Sequence, residues 1–557
     1  MRATAPRDAQ PDATAQGGLA RARTPPLARW WPALLAVAAL ATYATSLRNG
    51  FCWDDQFIVV ENTQALTLAR PAEILLGPDV LHPGQPTPYY RPLTRLSLVV
   101  DRRLYDLDPL PYHLESAALH ALAVVLLFAF ARQLGASAWA AGVAALLFAV
   151  HPIAAEVVDL AAHRNNLLSV VFVLGAALAY ARGRSPLRAG WIGVAAVLFF
   201  LGLASKETAL MLLPLLAWRE LFPISGLRAR VREAALALTP LVVAVLFYLF
   251  LRARALSGPS GSPIALEPIE GLTRSLHLVP KYLTLLAWPA GLTVHHAPPE
   301  RFLESGGALT VAWVVLGLAV VAVLRTRRPL SSLGLLWAAV NFVPVSTIVP
   351  IPSSPFAERF AYLPAIGLWL VLADQLERLR ERRPALRRPV TAAVAAVVLA
   401  LAVRTARRNL DWRDNLSLFT SAAQVVPDSV DAANNLGLAL QAAGDEPGAR
   451  REWERAVALD PSNAGALVLL AELDARGGDL PGARARLERA VAVRPGDAEA
   501  RFDLALTAEQ MGDLVAALQQ YEAFIALAPV DHAELIPRVE ERVAVLRARL
   551  GASRQGR

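Results

Sequence analysis

Two adjacent carboxylates, Asp54 and Asp55, stand in the segment GFCWDDQF directly after the first long apolar block. Further ionisable groups recur at the ends of later apolar blocks. They are His151 and Glu156 in HPIAAE, His163 and Arg164, Lys206 and Glu207 in ASKET, and Glu358, Arg359 and Tyr362 in FAERFAYLP. Arg91 and Arg95 approach from the connection between the first two blocks. Ionisable groups beside a membrane-embedded region are costly and often functional. A positioned carboxylate can take the proton of an attacking hydroxyl, and adjacent aspartates suit this, since one can act while the other orients it. Fixed cations, with bidentate Arg preferred, ease the departure of a phosphate. The set therefore suits a reaction on a phosphate-linked substrate such as a polyprenyl phosphate, its tail in the bilayer and its head at the surface.

Each group also has a plainer reading. A carboxylate pair outside a span can be solvated loop, and His-Pro can be only a helix end. Lys206–Glu207 and Glu358–Arg359 can be structural ion pairs. His295 and His296 have no evident partners and are read as surface.

The elements that must position these residues are membrane helices. The 557 residues are 55% hydrophobic and 18% charged, with mean hydropathy +0.40, whereas soluble domains carry about 25% charge. Apolar segments near 28–47, 113–132, 138–156, 165–182, 189–205, 207–222, 233–251, 308–324, 331–349, 359–377 and 388–405 predict eleven crossings, several at the short end of the ~17–25 residues required. The net charge of +8 does not argue for nucleic acid. It sits in loops such as Arg182–Arg188, Arg228–Arg232, Arg325–Arg328 and Arg378–Arg388, where the positive-inside rule puts it on the cytoplasmic side. The stretch 275–296 is read as re-entrant or interfacial, because a crossing there would invert the later basic loops. This places the N-terminus inside and the C-terminus outside, although Arg404, Arg407 and Arg408 then follow the last span on the outer side. Residues 1–27 read as a disordered cytoplasmic tail and 28–410 as the membrane domain, with an external loop at 48–112 long enough to be functional. The lone Cys52 leaves no intramolecular disulfide framework and no Cys-based zinc site; no metal ligand set and no cofactor is expected.

Beyond Trp412 the character changes. Pro427, Pro461, Pro495 and Pro529 recur every 34 residues, as do the Gly-Asp pairs opening at Gly444, Gly478 and Gly512. That period of paired helices is the tetratricopeptide (TPR) signature. It predicts a TPR domain over 411–550, with repeats near 427–460, 461–494 and 495–528, a capping helix at 531–550, and a groove for a peptide or protein. The fold class is all-α, a polytopic helical membrane domain followed by an α-solenoid.

The segments NGFCWDDQFIVVENTQ, YYRPLTRLSLVV, YHLESAALHALAVVLL, LLFAVHPIAAEVVDLAAHRNNLLSVVF, LASKETALMLLPLLA, ERFAYLPAIG and WRDNLSLFTSAAQVVPDSVDAANNLG occur in that order, followed by the repeats. Together they resemble the TPR-bearing transmembrane O-mannosyltransferases that target cadherins, and their bacterial relatives, within the GT-C glycosyltransferase superfamily. The resemblance covers nearly everything after residue 28. It implies a GT-C-like membrane fold, a polyprenyl-phosphate monosaccharide donor, and inverting, metal-independent transfer on the extracytoplasmic face. It assigns the acidic motif of the first external loop to Asp54 and Asp55. Its His-Pro…Glu, Ser-Lys-Glu and Glu-Arg segments match at His151, Glu156, Lys206, Glu207, Glu358 and Arg359. The chain departs at HRNNLL, where Asn166 replaces an expected acidic residue and receives no catalytic role.

The expectation is an inner-membrane glycosyltransferase. Asp55, assisted by Asp54, activates a Ser or Thr hydroxyl of a protein acceptor presented by the TPR groove, and the hydroxyl attacks a lipid-linked sugar, mannose being the expected one. Arg359, Lys206 and Arg91 hold the phosphate, and Glu156 and Glu207 orient donor or cations. His151, Glu358 and Tyr362 complete the expected substrate contacts. One rival keeps the chemistry with a lipid or surface polysaccharide as acceptor. Another is a non-enzymatic TPR scaffold, which leaves the charges at so many span ends unexplained.

Overall fold

The computed structural model describes residues 29–62, 71–82, 85–184, 187–221, 227–257, 268–296, 306–346, 356–527 and 534–555. The expected tail 1–27 lies outside the described residues, as do 63–70 and 83–84 of the long loop and 531–533 of the expected capping helix.

The membrane half runs α1 (Trp31–Thr42), α2 (Pro71–Leu76), α3 (Pro92–Tyr105), α4 (Pro109–Gln133), α5 (Ala138–Val150), α6 (Ala155–Val158), α7 (Arg164–Gly183) and α8 (Ala189–Ser205). It continues with α9 (Leu212–Leu221), α10 (Leu227–Ala255), α11 (Pro268–Ala287), α12 (Gly306–Leu324), α13 (Pro329–Phe342), α14 (Tyr362–Arg382) and α15 (Arg387–Arg408). Among the described residues the only strands form a small antiparallel ribbon, β1 (Val80–His82) with β2 (Gln85–Pro86).

The chain is a helical membrane protein. Among the described residues five helices are long and apolar enough to cross a bilayer, and a sixth span is formed if α5 and the following Pro152–Val158 count as one. The other expected spans fold as shorter or more polar helices; 207–222, for example, breaks into a 3-10 turn, Glu207–Met211, and the ten-residue α9. Residues 275–296 do not form one rod: α11 ends at Ala287 and the chain continues irregularly to residue 296.

Two local features shape the bundle. Pro152 has no N–H to continue α5, so the chain bends by 52° there. His151 caps the break, its Nδ1 accepting from Ile153 N at 3.2 Å and its Nε2 donating to Leu286 O at 3.0 Å. Where α13 crosses α14, a Cβ on Gly334 would stand 2.6 Å from Gly367 O. The two backbones touch, as small residues permit in membranes.

The tail is a stack of helix pairs: α16 (Asn415–Val425), α17 (Val430–Ala442), α18 (Glu446–Leu459), α19 (Ala464–Arg476), α20 (Leu480–Val493), α21 (Ala498–Gln510), α22 (Leu514–Leu527) and α23 (Ile536–Gln555). The Gly-Asp pairs explain the period. Gly444, Gly478 and Gly512 sit at φ +84°, +85° and +80°, the left-handed end of a helix that glycine adopts without strain. The next residue, Asp445 or Asp479, then caps the second helix by accepting from Gly448 N or Gly482 N, both at 2.9 Å.

The two halves meet directly. Cys52, Ala155, Leu160 and Val294 of the membrane half pack in one cluster with Trp412, Leu418, Phe419, Ala422 and Leu436. Asn49 Nδ2 donates to Asn409 O and Gly50 N to Arg413 O, both at 2.9 Å. The repeats therefore stand on the same side as the Asp54 loop. Arg408, the last residue of α15, is buried in this joint, 3% exposed, and bonds Asp411 at 2.8 Å.

Candidate active site

The corner leading into Asp54 is unusual. Trp53 has φ +48°, a left-handed conformation that costs an L-residue about 1–2 kcal/mol. Its N–H donates to Asn415 Oδ1 at 2.7 Å, and its ring lies beside Trp412 and His295, each at 6.3 Å between centroids.

The turn sends the two aspartates in different directions. Asp55 is fully buried, and its oxygens accept from Ala161 N at 3.3 Å and Ala162 N at 2.7 Å. Burial pushes its carboxyl up to about 7, against the pull of those two amides. Asp54 keeps 28% of its side chain exposed, and its Oδ2 meets His163 Nε2 at 3.1 Å. Burial alone would raise Asp54, but the His163 hydrogen bond and the charges of His163 and Arg359 hold it below the ordinary carboxylate value. The sequence expectation had Asp55 act and Asp54 assist. In the structure Asp55 is held against the 161–163 turn while Asp54 stays partly exposed.

His163 Nδ1 lies 2.9 Å from Glu156 O. A carbonyl can only accept, so Nδ1 carries a hydrogen. The other ring nitrogen, Nε2, faces Asp54 Oδ2. Glu156, 2% exposed, turns its side chain the other way. Its Oε2 accepts from Arg359 N at 2.8 Å and its Oε1 pairs with the Arg359 guanidinium. That guanidinium also lies over Trp53 and Phe360, at 5.7 and 5.1 Å.

Arg359 and Lys206 line a small, partly open cleft with Asn166, Ser169, Thr208, Phe360 and other residues. Lys206 Nζ donates to Asn166 Oδ1 at 2.5 Å, so the residue standing in place of the expected acid still accepts from this lysine. Arg91 and Glu207 hold each other, Nε to Oε2 at 3.1 Å and Nη2 to Oε1 at 2.7 Å, with Glu207 35% exposed. The plainer reading of Lys206–Glu207 as an ion pair gives way to the pairs Arg91–Glu207 and Lys206–Asn166.

Three residues expected to contact substrate have partners within the protein. His151 is 1% exposed and uses both nitrogens at the helix break. Tyr362 presents part of its side chain to the cleft but bonds its hydroxyl to His120 Nδ1 at 2.7 Å. Glu358 is sealed off, its Oε1 accepting from Thr293 N at 2.6 Å and meeting His296 Nε2 at 3.2 Å. Burial raises Glu358 to about 8, against the opposing charge of Arg408, which lies 3.8 Å away. The two histidines read as surface are interior. His296 has 6% side-chain exposure, and His295 stacks on Phe419 at 5.9 Å and bonds Asn435 at 3.0 Å. Sequence reasoning gave His163, Asn166, His295 and Asn415 no part in the site. His163 alone had a signal, standing with Arg164 among the ionisable groups at span ends. Among the described residues no group of three or more His, Cys, Asp or Glu is placed to hold a metal ion.

Fold and site together define a polytopic helical membrane protein in which a TPR tail packs against the loop that carries Asp54. The tetratricopeptide repeat model matches residues 401–464 and 468–532. The chain is similar to several proteins named as protein O-mannosyl-transferases. It is 27% identical to Protein O-mannosyl-transferase TMTC3 of Mus musculus, over 78% of this chain and 51% of that protein. It is also 27% identical to Protein O-mannosyl-transferase Tmtc3 of Drosophila melanogaster, over 78% of this chain and 55% of the relative. The chain thus spans about half the length of these curated relatives. Among solved structures, ArnT from Cupriavidus metallidurans bound to undecaprenyl phosphate aligns with 88% of this chain and 80% of its own, at 16% identity and TM-score 0.37.

Proposed function

We propose that the chain is a membrane glycosyltransferase of GT-C type. It moves a monosaccharide, mannose by analogy with the named relatives, from a polyprenyl-phosphate donor to a Ser or Thr hydroxyl of a protein acceptor. The single observation that carries this reading is the double use of Glu156. Its backbone carbonyl orients His163 behind Asp54, and its carboxylate holds Arg359 at the cleft. One residue thus fixes a general base and a phosphate-binding cation relative to each other.

In the proposed reaction Asp54, with Oδ2 held by His163, takes the acceptor proton on its other oxygen. The hydroxyl oxygen forms a bond to the anomeric carbon, and the bond from that carbon to the phosphate oxygen breaks. The phosphate leaves with the electron pair, held by Arg359 and Lys206, while Arg91 and Glu207 frame the approach. The positive-inside distribution of arginines supports an extracytoplasmic site in the inner membrane, with the repeats on the same side. Metal independence and the absence of a cofactor remain part of the proposal.

The test reconstitutes the full chain in membranes with radiolabelled polyprenyl-phosphate mannose and a Ser/Thr-containing protein acceptor. Label in protein, abolished by Asp54→Asn at unchanged protein abundance, is the expected result. Label in lipid or polysaccharide alone overturns the acceptor class. No transfer by the wild-type chain overturns the reading, and full transfer by Asp54→Asn overturns the role of Asp54.

A further inference from the structure

We propose that Asn415, at the start of the first TPR-domain helix, is a positioning residue for Asp54. The repeat tail is then a structural part of the transfer site as well as a platform for the acceptor. The inference rests on the reading of Asp54 as the base.

The argument begins at Trp53. A bulky side chain rarely adopts a left-handed backbone, and residues held there persist only when their surroundings over-determine them. His163, Arg359 and His295 pack around the Trp53 ring, but the partner of its backbone N–H comes from the tail. Its N–H donates to Asn415 Oδ1 at 2.7 Å. Asn415 is itself fixed, because the preceding Asp414 caps α16 by accepting from Ser417 N at 2.8 Å. The neighbouring loop residues are tied to the same segment, Gly50 N to Arg413 O at 2.9 Å and Cys52 Sγ to Trp412 O at 3.4 Å. His295 adds a wall, standing between the Trp53 ring on one side and Phe419 and Asn435 on the other.

The residue after this corner is Asp54, whose bond to His163 depends on the direction the chain takes at Trp53. Without the Asn415 acceptor, nothing in the tail holds the Trp53 N–H. The backbone then relaxes toward the ordinary region and turns Asp54 away from His163. A tail that served only to recruit the acceptor would not need to hold the residue next to the base.

The test compares full-length wild type with Asn415→Leu, which cannot accept, and Asn415→Asp, which keeps an acceptor oxygen. Turnover is measured with the protein acceptor and with a Ser/Thr peptide too short to reach the repeats. The inference expects Asn415→Leu to lower kcat between about tenfold and about a hundredfold on both acceptors, with donor KM within about twofold. Asn415→Asp should restore most of the rate. Wild-type kcat in Asn415→Leu overturns the proposal. So does a defect confined to the KM of the large acceptor, or an Asn415→Asp variant no better than Asn415→Leu.

Cys52 supplies a second readout that needs no activity. It is the chain's one cysteine and is fully buried in this joint. It should react faster with a maleimide in Asn415→Leu than in wild type or Asn415→Asp, at unchanged global unfolding midpoint. Equal labelling in all three overturns the inference. A wild-type chain that transfers nothing overturns the proposed function instead, and Cys52 labelling still decides the joint.

Discussion

His163 Nε2 lies 3.1 Å from Asp54 Oδ2 while its Nδ1 lies 2.9 Å from the carbonyl of Glu156. The carbonyl holds one edge of the ring, and the other edge backs the proposed base.

This relationship predicts a pH profile. Asp54 works ionised, and its value is held below the ordinary one against the upward push of burial. In His163→Gln that support is gone and burial dominates. The acid limb of the transfer rate should therefore move to higher pH. Rates measured on both variants across the acidic range check this; a limb that stays in place refutes the coupling.

Asp55 predicts a stability effect. Its carboxyl is raised from an ordinary 3.8 to about 7, chiefly by burial. A raised carboxyl binds more protons in the folded chain, so its favourable contribution is complete below the unfolded value and is lost as pH rises through about 7. In Asp55→Asn this component disappears, and one of the Ala161 and Ala162 amides loses a full acceptor, at about 1–3 kcal/mol. The variant should be less stable at acid pH, and its unfolding midpoint in detergent should fall less steeply between about pH 4 and about pH 7. Parallel curves for variant and wild type would dismiss Asp55 as the titrating group.

His151 separates structure from substrate binding. His151→Leu removes the partners of Ile153 N and Leu286 O at the helix break, each worth about 1–3 kcal/mol when left buried and unpaired. The unfolding midpoint should drop while the donor KM of the folded fraction stays at the wild-type value. A raised donor KM with an unchanged midpoint would return His151 to the substrate.

The α13–α14 crossing gives a packing test. Gly367→Ala places a Cβ against the Gly334 carbonyl and the Ala338 amide, both backbone and unable to yield. Overpacking of this kind costs about 1–3 kcal/mol. At Gly190 an added Cβ meets nothing, so Gly190→Ala serves as the neutral control. Comparable melting of the two variants would mean the helices can separate without loss.

Much of the architecture was legible because it repeats. The 34-residue spacing of Pro and Gly-Asp follows from local chemistry, a left-handed glycine and a capping aspartate in each turn, and needs no distant partner. Apolar blocks likewise show where helices form, since a bilayer requires long runs of apolar residues. The segment holding Asp54 and Asp55 was found for a related reason, since paired charges beside an apolar block are rare enough to notice.

Tertiary structure decided what each charge does. Asp54 and Asp55 are the same residue type one position apart, and a single left-handed corner at Trp53 leaves one partly exposed and buries the other. His151 and His163 look alike in the chain, yet one closes a helix break and the other backs a carboxylate. Asn415 lies more than three hundred residues from Trp53, so no local pattern could join them. Composition and period act over a few residues and fix the elements; the partner of a polar group is set by which loops those elements bring together.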